Sequence, residues 1–390
     1  MLREVEKQVQ GFRTQDGAGV SLVRVLGNQT TDDYDPFLML DAFDSTNPQD
    51  YTAGFPMHPH RGIETVTFLS KGTIVHEDHL GTKAAIHDGE AQWLTAGSGA
   101  YHSEMPQPAE RMLGVQLWLN IPAKYKMTAE PFYHGVINGE IQEFPLDGGK
   151  LRLVAGNYQG QAGIQGKYLP LDFYDILLDA HGSVTLDVSG ENKSAMVFTL
   201  EGEAKVSGTE VPAKTAAKLG NGDTVTIEAG DQPVEILFMC SVRLGEPVAW
   251  YGPIVMNTGD ELIQAVDEIE NHTFIKHAAK YENQFSSSDT QNKEKDLVKI
   301  VFEENASRSA AYKDGKLIGE CEFSPLDGKW IISHTGVRPG HEGQGIARKL
   351  VERVIKEARS RQVKILPICS YAKKMMEGKE EYKDLLTTGE

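Results

Sequence analysis

The chain is short of cysteine, of long hydrophobic runs and, over most of its length, of positive charge. Its three cysteines, Cys240, Cys321 and Cys369, lie far apart along 390 residues. So sparse and odd a set excludes a disulfide framework and suits reduced thiols. No apolar run approaches the roughly 20 residues that a membrane-spanning helix needs, and the opening MLREVEKQVQGF lacks the apolar segment of a secretory leader. A cytoplasmic protein that does not enter the membrane is expected. The formal net charge is −17. Residues 291–390 carry 19 Lys and Arg against 16 Asp and Glu, which leaves 20 against 40 for the first 290. A body this acidic repels phosphate backbones, so direct nucleic-acid binding is excluded while a protein partner is not.

With 40% hydrophobic residues and this length, the chain can build two or three cores. Residues 1–135 hold short alternating runs such as TVTFLSKGTIVHED, punctuated by glycine, and read as antiparallel strands. Residues 136–256 repeat the plan, with SAMVFTLEGEAKVSG and LGNGDTVTIEAG matching the earlier HDGEAQWLTAG, which suggests a duplicated small barrel or sandwich. Residues 257–296 switch to helical spacing, with Leu262, Ile263, Val266 and Ile269 on one stripe behind a Thr258 or Asp260 cap, and then run into the polar linker QFSSSDTQNKEKD. A last domain, 297–390, alternates strands with one strong helix, so its class is α/β or α+β. The expected fold class is thus mainly β, followed by a small α/β domain, in a monomer.

The chemistry concentrates in two same-parity pairs. In FPMHPHRGIET, His58 and His60 project from one face if the segment is extended, and Pro56 and Pro59 favour extension of the residue before each of them. In YHSEMP, His102 and Glu104 have the same spacing. Two such pairs on neighbouring strands bring three imidazoles and a carboxylate to one point, a donor set suited to Fe(2+) or another divalent transition metal (Mn, Ni, Cu, Zn). Glu64 shares the parity of His58 and His60 and is an alternative carboxylate ligand or an acceptor for a histidine N–H. His76 and His79 read as a solvated strand end and His87 as surface. Trp93 and Trp118 read as barrel filling, although a flat aromatic substrate could stack on either.

HPHRGIETVTFLSKG, QWLTAGSGAYHSEMP and EPVAWYGPIVMNT resemble the pirin family of the cupin superfamily over residues 1 to about 280. The resemblance implies a bicupin, two cupin β-barrels of which only the N-terminal one binds metal, through His58, His60, His102 and Glu104. Glu64 then matches a motif glutamate that pirins do not use as a ligand. The second series contains only His181, too little for an equivalent site. Pirin-like proteins include quercetin 2,3-dioxygenases and protein-binding regulators, nuclear co-regulators among them. The leading expectation is therefore a flavonol dioxygenase in which Glu104 is both ligand and proton acceptor for a small aromatic substrate. The alternative is a metal- or redox-sensing interaction protein without turnover.

HTGVRPGHEGQGIARKL places a glycine-rich turn before a helix with Ile346, Leu350, Val354 and Ala358 on its apolar side, and free N–H groups at such a start cradle phosphate oxygens. The absence of a Gly-Lys-Ser/Thr end excludes a P-loop. HEGQGIARKL, with LPICSYAKKMM and EEYKDLL, resembles the small single-domain branch of GNAT N-acetyltransferases, with Gly340 standing where that family usually has Arg or Gln. The resemblance implies an acetyl-CoA site at Val337, His341, Glu342, Gly343, Gln344, Gly345, Ile346 and Ala347, with Thr335–Val337 meeting the pantetheine arm. Cys369 is the candidate acyl acceptor or general acid, Tyr371 and Tyr382 are candidate protonators of the leaving thiolate, and Cys240 and Cys321 read as core.

Overall fold

The computed structural model describes residues 1–277, 298–313, 316–326, 328–338, 341, 345–376 and 378–387. The expected linker, 284–296, lies outside them, as do Glu342, Gly343, Gln344 and Gly340 of the expected acetyl-CoA loop. Contacts divide the chain into two compact units, Met1–Glu282 and Asn283–Glu390.

The first unit is mainly β and of cupin type. A seven-stranded antiparallel sheet is ordered Phe132–Val136, Ala91–Thr95, Ile63–Lys71, Met112–Asn120, Phe37–Ser45, Val20–Leu26 and Phe12–Asp16. A four-stranded sheet is ordered Phe55–His60, Ala100–Gln107, Thr73–Asp78 and Lys83–Ile86. Nearly every residue of Met112–Asn120 and Phe37–Ser45 is buried, because both faces of the sheet are covered. On one face Leu40, Ala42, Val66, Phe68, Val115 and Leu117 join Phe173, Phe198, Leu237 and Met239 of the following half in a single core. The opposite face carries polar residues in a transverse row, with Arg24 opposite Asp41, Asp41 opposite Gln116, Gln116 opposite Thr67 and Thr67 opposite Gln92. Since side chains alternate along a strand, this polar face is the one available to a site.

The following half is a nine-stranded sheet that forms a near-closed barrel around a second core of Leu151, Ile176, Val197, Ile227 and Phe238. Its long strand Asp172–Asp187 pairs first with Val234–Val242 and then with Thr224–Ala229, bending near His181 at φ 63. One edge of this sheet comes from the other end of the unit, because Val5–Gln10 pairs with Thr215–Leu219.

After the barrel the chain returns to the first half. Ala249–Tyr251 and Ile254–Met256 form a hairpin, and Val255 N–H donates to the carbonyl of Arg61 at 3.0 Å. Gly62, at φ +80, permits this approach: a Cβ there would lie 1.8 Å from the Val255 carbonyl oxygen. The helix Gly259–Glu270 is closed by a capping box in which Thr258 Oγ1 accepts from Glu261 N–H and Glu261 accepts from Thr258 N–H. Its expected stripe needs one correction. Ile263 is 70% exposed, and Ala265 and Glu268 take the buried face. The helix meets its neighbours through positions 262, 265, 268 and 269, and a 100° step per residue leaves 263 outside that arc.

The second unit is a five-stranded sheet ordered Lys299–Glu303, Arg308–Lys313, Lys316–Leu326, Lys329–Val337 and Lys364–Pro367, of which only the last pair is parallel. The helix Ile346–Ser360 provides the crossover between those two strands. It buries Ile346, Leu350, Val354 and Ala358, as its spacing requires, together with Val351 and Ile355. Cys321, Phe323, Trp330 and Ile332 meet it from the sheet.

Candidate metal centre

The strand Phe55–His60 lies beside Ala100–Gln107 with His58 opposite His102 and His60 opposite Ala100. Alternation turns Pro59 away and brings three imidazoles together. One ring nitrogen from each of His58, His60 and His102 lies within 4.8 Å of the others, and the ring centroids are 4.5–5.0 Å apart. The tautomers are set by backbone acceptors. His58 Nδ1–H donates to the Pro56 carbonyl at 2.8 Å and His60 Nδ1–H to the Pro253 carbonyl at 3.0 Å. Both Nε2 lone pairs are therefore free, and they face one another at 3.0 Å. Two lone pairs at that distance repel unless a cation lies between them.

His102 strengthens the point. It is 0% exposed, and neither of its ring nitrogens has a hydrogen-bond partner among the described residues. An unpaired buried polar group costs about 1–3 kcal/mol, a cost that a coordinated cation removes. Burial, and then its histidine neighbours, push His102 well below the ordinary histidine pKa and His60 down to about 3. His60 and His102 are therefore neutral at pH 7, and the three rings together can coordinate a divalent metal.

Glu104 is 2% exposed with Oε2 4.0 Å from His102 Nε2. Three donors converge on it: Thr67 Oγ1 at 3.0 Å and Gln92 Nε2 at 2.6 Å to Oε1, and Gln116 Nε2 at 2.6 Å to Oε2. These donors belong to the transverse row of the facing sheet. Sequence reading missed them because isolated polar residues on three separate strands give no sign that the sheet lines them up against one carboxylate.

Glu64 is excluded as the carboxylate. It sits on the face of its strand shared by Val66 and Phe68, opposite Thr67, where Thr95 Oγ1 donates to it at 2.6 Å and burial pushes it up to about 7. The parity shared with His58 and His60 does not survive the turn at Arg61 and Gly62. The reading of His76 and His79 as a solvated strand end is also overturned. His76 is 0% exposed, 3.0 Å from Asp78 and stacked on Tyr133 at 4.2 Å, and His79 is half-buried with Nδ1 accepting from Tyr101 N–H. The facing sheet covers the Thr73–Asp78 strand on the side taken for solvent. His87 is exposed, and Trp93 lies in the core between the two halves.

Trp118 does more than fill space. Its ring meets His60 edge-on at 4.9 Å and Trp250 at 5.6 Å. All three border a cavity of about 650 Å³ that also touches His58, Phe55, Met39, Arg24, Asp41 and Tyr251. The hairpin 249–256 thus contributes an aromatic wall and, through Pro253, the acceptor that orients His60.

Comparison with known families and proteins accords with this geometry. The Pirin family model matches residues 19–119, and the Pirin C-terminal cupin domain matches 173–275. A pirin-like protein of Caulobacter vibrioides is 42% identical over 277 residues, covering 70% of this chain and 99% of its own. The chain belongs to the pirin family. A crystal structure of quercetin 2,3-dioxygenase from Acinetobacter baumannii, at 30% identity, superposes with a TM-score of 0.65 and covers 72% of this chain and 100% of its own. A tomato (Solanum lycopersicum) pirin-like protein is 35% identical over 272 residues, covering 69% of this chain and 91% of its own. Beyond the pirin segment, residues 308–385 match the GCN5-related N-acetyl-transferase model, so this pirin carries a fused GNAT-like domain.

In that domain Gly345, at φ 72, precedes the helix start at Ile346, with Ala347 in the first turn. Val337 ends the fourth strand, and His341 N–H donates to the Arg338 carbonyl at 3.1 Å. Cys369 follows the last strand, half-buried. Burial raises its thiol, but hydrogen bonds from the amides of Ala372 and Tyr371 and from Thr335 outweigh this and lower it below the ordinary thiol pKa. Tyr371 is 41% exposed next to it. Tyr382 lies under Arg359 in the last turn of the helix, whose length puts Arg359 about 20 Å from Gly345. Burial pushes Cys240 and Cys321 up to about 12. Iodoacetamide at pH 8 should therefore alkylate Cys369 at least about tenfold faster than either of the others, as peptide mass spectrometry would report. Equal labelling of all three would contradict the assignment.

Proposed function

We propose that the pirin segment is a metal-dependent dioxygenase of flavonol type, similar to quercetin 2,3-dioxygenase, using Fe(2+) or another divalent transition metal. The observation that carries this reading is the cluster of three imidazoles, His58, His60 and His102, of which the first two border an aromatic-walled cavity. His58, His60 and His102 would hold the metal, with Glu104 as the fourth ligand. A bound metal supplies Lewis acidity to a substrate hydroxyl and, when redox-active, electron exchange with dioxygen. Glu104 accepts the proton of the flavonol hydroxyl, and its three side-chain donors keep the carboxylate aimed at that point. Trp118 and Trp250 flank the rings and exclude water. In this reading the seven- and four-stranded sheets are the N-terminal cupin barrel, 1–135, and residues 136–256 are a second barrel without metal.

Iron-loaded protein should bleach the near-ultraviolet band of quercetin and release carbon monoxide, and metal-stripped protein should do neither. Identical traces from the two preparations would remove the proposal. A metal- or redox-sensing role is favoured by one observation, the 66% exposure of Tyr251 at the rim of the cavity. A binding partner captured in only one iron oxidation state would support it. For the GNAT-like domain the reading is acetyl-CoA binding at Val337, His341 and residues 342–347, with Cys369 as acyl-accepting thiol, or as general acid toward the leaving thiolate, in transfer to an amine acceptor. Calorimetry of the full chain with coenzyme A tests it, and an absence of heat at millimolar ligand would dismiss it.

A further inference from the structure

The cavity has a second polar end, remote from the imidazoles. Arg24 lies opposite Asp41, and Asp41 opposite Gln116, so two strand spacings, about 10 Å, separate Arg24 from the residue whose amide holds Glu104. Asp41 is 3% exposed and grips the guanidinium as a fork, accepting from Nε at 2.9 Å and from Nη2 at 2.7 Å. Asp16 accepts from the same Nη2 at 2.6 Å and from Gly17 N–H through its other oxygen. Arg24 Nη1 makes no hydrogen bond with the described residues. A pair that served only to staple two strands would need neither an open donor on the cavity nor a second carboxylate. Held by two acids, this end is net negative by one charge, which disfavours a carboxylate ligand.

We infer that Arg24, fixed by Asp41 and assisted by Asp16, is the specificity determinant of the cavity and selects a neutral, flat aromatic molecule hydroxylated on the ring farthest from the imidazoles. A phenolic hydroxyl accepts from Nη1 and donates to Asp16 at the same time, which neither a carboxylate nor a bare ring can do. Met39 and Trp118 form the row beside the polar one, so the molecule between the two ends must be apolar and flat. One ring is too short to bridge them, whereas two linked rings are long enough. This inference rests on the flavonol reading above.

The test uses zinc-loaded full-length protein, in which no redox turnover occurs, and follows quenching of tryptophan fluorescence. Quercetin and 3-hydroxyflavone share the chelating oxygens, but only quercetin has far-ring hydroxyls. The wild type should bind quercetin about tenfold tighter, the ratio expected for one good polar contact at the far end. Arg24→Met should reduce the ratio to below about threefold, mainly by weakening quercetin, and Asp16→Asn, at a half-exposed position, should reduce it without endangering the fold. If the wild type binds both compounds equally, or if Asp16→Asn and Arg24→Met leave the ratio intact, this inference falls and the flavonol reading stands. If neither compound binds the zinc form, both fall.

Discussion

Substituting His102 by alanine is expected to lower metal affinity by about 100-fold or more, since altering even an outer-sphere partner of a ligand costs about 10–100-fold. The stability of the metal-free protein should change by less than about 1 kcal/mol. The two effects separate because His102 is buried with both nitrogens unpaired among the described residues: its removal deletes a desolvation penalty while leaving a small cavity, and these oppose one another. Elemental analysis after dialysis, paired with urea denaturation of the stripped protein, measures both. Metal retained at wild-type stoichiometry would refute the site. A large loss of metal-free stability would make His102 a packing residue.

Arg61→Ala is expected to cost about 3–5 kcal/mol, the range for removing one partner of a buried ion pair. Arg61 is 1% exposed. Its Nη2 donates to Glu268 at 2.6 Å and to the Phe274 carbonyl at 2.8 Å, its Nε donates to the Ser98 carbonyl at 2.8 Å, and its guanidinium stacks 4.1 Å from the Phe274 ring. The residue therefore ties the returning segment 249–275 to the strand next to the histidine cluster. Burial lowers the Arg61 pKa, but a guanidinium keeps its charge at neutral pH. Burial alone would raise Glu268, yet hydrogen bonds from Lys276, Gln264 and Arg61 bring it down to about 2. Because this folded pKa is depressed, its contribution is fully present above about pH 4.5 and is lost as pH falls toward 2. In the Arg61→Ala protein that acid limb should flatten. Denaturation curves at pH 7 and pH 3 decide the matter, and an unchanged difference between them would show that the pair carries no linkage.

The metal cluster was legible because its information is local. Two residues spaced i, i+2 on a strand share a face whatever the rest of the fold does. What stayed hidden depends on residues far away in sequence. His60 takes its orientation from the Pro253 carbonyl, 193 residues along the chain, and in sequence the hairpin around it showed only family likeness. Thr67, Gln92 and Gln116 carried no signal in the sequence, because a two-residue period does not say whether a second sheet lies above. The same ambiguity misplaced His76. In the GNAT-like domain, the helix stripe could be read residue by residue since it packs on a single sheet, whereas Ile263 was misassigned on a helix whose own buried face includes a carboxylate, Glu268.

The pairing of Val5–Gln10 with Thr215–Leu219 has a consequence for biosynthesis. The segment made first must wait for its neighbour, which emerges from the ribosome some 200 residues later. At roughly 5–20 residues per second, that is a delay of about 10–40 s. This strand, polar but for Val5 and Val9, stays unpaired throughout, so slow translation should prolong the time for which it has no edge at Thr215–Leu219 to pair with.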